Sequence, residues 1–129
     1  MNIMSAEMTL ACKSKKWRTI LQLLEAGESV DVYHSILGSP LLVLSIDNGW
    51  TEVVNYLISH GANVNAASID SGYTPLIAAA SNVDLDLIKT LINHGADVAK
   101  KSKKGMNARA YYVSMYGEDG SEIQKVLTP

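Results

Sequence analysis

Two stretches of this 129-residue chain repeat each other, and that repeat limits the possible folds more than any single residue does. Ser39-Pro40-Leu41 leads to Val53-Val54-Asn55-Tyr56-Leu57-Ile58-Ser59-His60-Gly61-Ala62-Asn63-Val64. Thr74-Pro75-Leu76 leads to Leu87-Ile88-Lys89-Thr90-Leu91-Ile92-Asn93-His94-Gly95-Ala96-Asp97-Val98. Pro40 and Pro75 lie 35 residues apart, Gly61 and Gly95 lie 34 apart. A period in the low thirties holds one helix-turn-helix unit and a connecting loop, which can bury its apolar face only against a neighbouring unit.

The residues of each unit say where its helices begin and end. Thr74 is a suitable N-cap, and Pro75 fits a first helical position, where its missing N–H costs nothing. Ile77-Ala78-Ala79-Ala80 then keeps the first helix thin enough for close packing. Leu87, Ile88, Leu91 and Ile92 form the apolar stripe of a second helix, and Gly95 closes it in the left-handed conformation. The composition agrees: 47% of residues are apolar, 19% are charged and Phe is absent, so the core must come from Leu, Ile, Val and Ala.

Thr74-Pro75-Leu76-Ile77-Ala78-Ala79 and Leu91-Ile92-Asn93-His94-Gly95-Ala96-Asp97-Val98 resemble the two halves of the ankyrin repeat, and both halves recur once upstream at the family's spacing. Ala11-Cys12 with Ile20–Gly27 supplies a weaker first unit, and Gly105-Met106-Asn107-Ala108 with Glu122–Leu127 a weaker last one. The resemblance implies one all-α domain over residues 1–129, a helix-turn-helix solenoid of about four repeats at 5–36, 37–70, 71–103 and 104–129, with atypical caps. The family's His after T-P-L is replaced by Leu42, Ile77 and Ala110. Counted from Pro40, repeat two carries one extra residue before Gly61 and another before Pro75, so bulges are expected near Asp47–Thr51 and Ala66–Ser71.

The resemblance further implies a partner protein held on a concave face, against loop tips and the exposed positions of each first helix. In repeat one these are Lys13 and Ser14; in repeat two, Ser35, Ile36, Ile46 and Asp47. Repeat three offers Asp70, Ser71, Tyr73, Ser81 and Asn82, and the last repeat Lys103, Lys104, Met106, Ser114 and Met115. Ile36, Ile46, Tyr73, Met106 and Met115 would thread the face with apolar contacts. The loop Tyr33–Leu37 stands apart, because the family's loop is polar and glycine-rich whereas this one exposes Ile36 and Leu37, which something must cover.

Charge is segregated along the chain. Residues 19–98 set nine carboxylates against Lys89 alone, whereas residues 1–18 and 99–129 each have three more cations than carboxylates. An acidic middle would steer basic partners. Lys100, Lys101, Lys103 and Lys104 form the densest basic run, but no aromatic platform accompanies it and the pI near 5.8 reads against nucleic acid; a solvated loop is the expected role. Asp47, Glu52, Asp84 and Asp86 read as a rim around inter-helix turns, and Trp17 and Trp50 as outer packing near those turns.

Other chemistries find little support. Cys12 is the sole cysteine, reads as a small buried residue and fits a reducing, cytoplasmic setting. No basic start and apolar run of a leader precedes it, and no membrane span occurs. His60 and His94 recur one repeat apart, too far to share a metal, and suit helix C-termini. No phosphate loop, triad or zinc spacing appears. The expectation is therefore a non-catalytic binding protein, without cofactor, metal or membrane, that masks or scaffolds another protein; an immunity-type inhibitor of a toxin or enzyme is the alternative.

Overall fold

The computed structural model describes residues 2–129. The chain divides into two compact units, Met1–Asn63 and Val64–Pro129. In the first, strand β1 (Asn2–Ile3) precedes helices α1 (Ala6–Lys13) and α2 (Trp17–Glu25), then β2 (Val32–Tyr33) precedes α3 (Leu41–Asn48) and α4 (Thr51–Ser59). The second contains α5 (Pro75–Ser81), α6 (Leu85–Asn93), α7 (Ala108–Tyr116) and α8 (Glu122–Val126). The fold is thus the expected all-α one, four helix-turn-helix repeats, to which sequence patterning gave no hint of the two short strands. Those strands pair in parallel, Asn2 against Val32 and Ile3 against Tyr33.

Among the described residues, side-chain caps start five of the eight helices, the fifth being Ser121 Oγ accepting from Gln124 N at the start of α8. Thr74 Oγ1 accepts from the Ile77 amide at 3.1 Å with Pro75 at the first helical position. Asn107 Oδ1 accepts from Ala110 N at 2.9 Å, Asp84 Oδ1 from Leu87 N at 3.1 Å and Ser5 Oγ from Met8 N at 3.1 Å. Each such cap is worth about 1 kcal/mol. Asp84 is therefore a cap, and Asp86 and Glu52 sit in first turns where the helix dipole favours a carboxylate.

The backbone corrects the register read from the proline motif. Pro40 is the N-cap of α3, outside the helix, so its structural equivalent is Thr74 and not Pro75. The left-handed residues of the first three repeats keep a period of 34: Lys15, Gly49 and Val83 turn between paired helices, and Gly27, Gly61 and Gly95 follow α2, α4 and α6; the N-cap of α7, Asn107, lies 33 residues after Thr74. Repeat two has no extra residue and neither expected bulge is needed. Val43, not Leu42, is then the equivalent of Ile77. Ile46 moves as well: it aligns with Ala80 and, like it, is buried, at 6% exposure. The partner-facing assignment of Ile46 rested on a one-residue slip, which on a helix turns a side chain through about 100°.

Each unit has its own core. Met8, Ile20, Leu41, Val53 and Leu57 are fully buried in the first; Leu76, Ile77, Ala79, Ala80, Ile88, Leu91 and Leu127 in the second. Pro75–Ala80 is buried on every side, which only so small a run of side chains permits while α7 packs against it. Within each unit the same polar staple joins successive repeats: Asp31 Oδ1 accepts from Asn63 N and Asn65 Oδ1 from Asp97 N, both at 2.8 Å. Gly72 is required by a close approach, since a Cβ there would stand 2.8 Å from the amide nitrogen of Lys103.

The three inter-helix turns share one conformation but not one residue type. Val83, at φ +55°, is β-branched in a region that costs such residues about 1–2 kcal/mol, and it is 45% exposed, so little packing holds it there. Gly49 fills the equivalent position at φ +72° with open space around a would-be Cβ. Val83→Gly should therefore raise stability by about 0.5–1 kcal/mol after allowing for glycine's greater unfolded-state entropy, and Gly49→Ala should lower it by about 1 kcal/mol for backbone reasons alone. Urea midpoints at unchanged m-value test both; opposite signs would contradict the shared-turn account.

Candidate functional site

The most exposed large apolar residue among those described, Ile36, lies beside the exposed Leu37 on one short loop, and that loop is held rather than loose. Beyond β2, His34 N donates to Ser39 O at 2.9 Å and Gly38 N to His34 O at 2.8 Å, closing a tight turn over residues 34–39. The buried His34 ring completes it: Nδ1 accepts from the Ile36 and Leu37 amides at 3.2 and 3.1 Å. In the second unit, Ser68 and Ser102 occupy the equivalent place, and Ser102 Oγ likewise accepts from the amide two residues on, Lys104 N, at 3.2 Å. The imidazole thus takes over a turn role that a hydroxyl fills elsewhere. It leaves Ile36 and Leu37 facing water at 82% and 54% exposure.

These two side chains form one wall of a groove of about 540 Å³, within the range that accepts a ligand group or a partner's side chains. Thr9, Cys12 and Lys13 line it from α1, at the spacing that puts residues on one helix face. Leu44 and Asn48 contribute from α3 by the same rule, Lys15 from the first turn, and Trp50 closes the end. Trp50 is the N-cap residue of α4 yet makes no side-chain cap bond; its indole is buried and serves packing. Lys13 and Lys15 supply the charge of the lining, and no carboxylate belongs to it. For this groove the complementary partner charge is negative, the reverse of what the acidic middle of the sequence leads one to expect.

The sequence-predicted positions form two sets, one in each unit. In the first, Lys13, Ser14, Ser35, Ile36 and Asp47 are exposed, and partial burial pushes the Asp47 carboxyl above its usual range. The 34-residue register replaces Ile46 by Asn48, and Asn48 does line the groove. In the second unit, Asp70, Ser71, Asn82, Lys103, Lys104, Ser114 and Met115 are exposed, while Ser81, Tyr73 and Met106 are half-buried. The Asp70–Ser71 and Lys103–Lys104 loop tips adjoin through Lys103 N donating to Ser71 O at 3.0 Å. Tyr73 packs edge-on against Tyr111 with centroids 5.0 Å apart, and Tyr111 Oη shares a hydrogen bond with Ser102 Oγ at 2.9 Å. Tyr116 Oη donates to Ser81 O at 3.0 Å.

Several singled-out residues are structural. Lys100 Nζ donates to Asn65 O at 2.6 Å, so one member of the basic run is committed to the fold. His60 stacks on Tyr56 with centroids 3.8 Å apart, and both His60 and His94 bond through Nδ1 to carbonyls of their own helices. Arg18 covers the ring of Trp17 at 4.9 Å. Thr9, Lys15, Leu44 and Trp50 line the groove but are not among the positions that the sequence singles out for a partner. Thr9 was within reach, four residues before Lys13; Trp50 reads as outer packing, and nothing in the apolar run Leu41–Leu44 sets Leu44 apart.

Comparison with known proteins follows the same lines. The family described as ankyrin repeats in three copies matches residues 8–102, more than half of the chain. The chain is 36% identical over 83 residues to the B-cell lymphoma 3 protein homolog of Mus musculus, covering 64% of this chain and 18% of that protein. It is 37% identical over 79 residues to NF-kappa-B inhibitor alpha of Gallus gallus, 61% of this chain and 24% of that one. With protein phosphatase 1 regulatory subunit 12A of Mus musculus it shares 34% over 91 residues, 70% of this chain and 9% of that one. The chain thus spans less than a quarter of each relative's length.

Cys12 gives a chemical check on the groove. Burial pushes its thiol up to about 11, so near pH 8 it is almost wholly protonated and a poor nucleophile. Labelling by iodoacetamide at pH 8 should be on the order of a hundredfold slower in the folded chain than in urea, and its rate should still be climbing past pH 9. Equal rates in the two states would mean an open, ionised thiol and a differently shaped groove.

Proposed function

The chain belongs to the ankyrin-repeat family, a family of protein-interaction modules, and we propose that this member binds a partner protein through the Ile36–Leu37 loop and the adjoining groove, masking or scaffolding that partner. The single observation behind the reading is the pairing of exposure with rigidity at this loop. Ile36 and Leu37 are solvent-facing, yet their amides are fixed by a buried ring. Covering each side chain contributes about 2 kcal/mol to association, and a loop already ordered loses little entropy on binding. The polar surround of Lys13, Ser35, Asp47 and Asn48 suits the rim of such an interface.

Support for a regulator comes from the relatives' own names, an inhibitor and a regulatory subunit. A stoichiometric inhibitor of an enzyme or toxin is one form of masking and shares the same surface. Catalysis finds no counterpart in the groove, where the one thiol is protonated by burial. Among the described residues no helix is long and apolar enough to cross a membrane.

A photo-crosslinking residue placed at Ile36 tests this reading in lysate of the source cell, with the same residue at Gln22 and Asn55, both exposed on the second helices, as controls. A discrete protein adduct is expected at Ile36 and neither control, and it should disappear when Leu37→Asp is added. Equal adducts at all three sites, or adducts at the controls alone, would move the interface elsewhere. Ile46→Asp is unsuitable as a probe, because it buries a charge in the core and should unfold the chain.

A further inference from the structure

We infer that the groove between α1, α3 and the 34–39 loop takes a peptide segment of acidic character, with a bulky apolar side chain seated against Ile36, Leu37 and Leu44 and carboxylates at Lys13 and Lys15. The inference rests on the interaction reading and names the partner's chemistry. Volume and lining fix the apolar part. At about 540 Å³ the groove exceeds what one leucine or tryptophan side chain fills, leaving room for flanking residues. Ile36, Leu37, Leu44 and Trp50 give it apolar walls.

Charge complementarity fixes the rest. Lys13 and Lys15 stand at one edge of the groove, both exposed, and among the described residues neither takes part in an ion pair; the two pairs present are Lys89–Glu122 and Arg109–Glu118. Lys16 and Arg18 extend the positive field along the same turn. The carboxylate nearest in sequence to the lining is Asp47, which occupies on α3 the place that Lys13 holds on α1. A bound segment is therefore oriented, its acidic flank over α1 and its uncharged or basic flank over α3. Long-range attraction of this kind raises the association rate and falls with salt.

The test is selection of random dodecapeptides displayed on phage against the immobilised full chain, followed by anisotropy titration of the synthetic consensus peptide. Enriched peptides are expected to place two or more carboxylates within a few residues of a Leu, Met or aromatic side chain. Lys13→Glu with Lys15→Glu should weaken the consensus peptide about tenfold or more, Asp47→Lys should tighten it, and added salt should erode both effects. Leu37→Asp should abolish binding while leaving the helical circular dichroism unchanged. Basic or uncharged consensus peptides that are lost with Leu37→Asp but indifferent to the lysine reversals would overturn the acidic assignment and leave the interaction reading standing. Peptides indifferent to Leu37→Asp would overturn both. Self-association in sedimentation that Leu37→Asp abolishes would make the occupant a second copy of this chain and likewise overturn the inference.

Discussion

Every feature of this chain depends on a left-handed backbone residue recurring at fixed intervals. Lys15, Gly49 and Val83 reverse the chain between paired helices, and Gly27, Gly61 and Gly95 release it into the next loop. With those positions set 34 residues apart, the first helices present equivalent faces, and Asp31 and Asn65 each reach a backbone amide of the following repeat. The helices themselves are seven to nine residues long, apart from the shorter α8, below the length at which isolated helices persist in water. Burial of one repeat against another is what keeps them helical. That Val83 tolerates a conformation suited to glycine shows how strongly the neighbouring helices dictate the turn.

The candidate site follows from this scaffold. Two rigid helices supply a floor of small and medium side chains, and the loop between β2 and α3 adds a wall that the other loops of the chain lack. His34 is the decisive substitution: its ring is large enough to be buried and still accepts two amide bonds. In the second unit a serine stands at the same place, and the Ser68 turn exposes a single large apolar residue, Ile69, at 43%, where the His34 turn exposes two. A surface that is apolar, ordered and bordered by cations has a narrow range of complements. The net charge of −2 gives no sign of it, because the local field around the groove is set by Lys13 and Lys15 and not by the carboxylates farther along the chain.

Much of the fold was legible because short-range signals agreed: Thr74 with Pro75 marks a start, Gly95 a stop, and Leu87, Ile88, Leu91 and Ile92 a stripe. The slip at Pro40 came from treating Ser39-Pro40-Leu41 and Thr74-Pro75-Leu76 as aligned words. Proline fits both just outside and just inside a helix start, since in either place its missing N–H goes unneeded. The glycines carry the register more faithfully, because a positive φ is a geometric requirement. That slip displaced the expected positions on α3 by one residue, putting the buried Ile46 where Asn48 belongs. The strand pairing of Asn2–Ile3 was invisible because two residues carry no periodicity. The prominence of the Ile36–Leu37 loop was readable from composition alone; its rigidity was not, since it rests on a side-chain nitrogen facing backbone amides.

Amide chemical-shift mapping of the full chain with a crosslink-identified partner tests the central claim most directly. The account predicts that the largest changes fall on Ile36, Leu37, Lys13, Leu44 and Asn48, with α2 and the outer face of α4 unmoved. Changes concentrated on residues 17–25 and 51–59, with the amides of Ile36 and Leu37 unaffected, would contradict it.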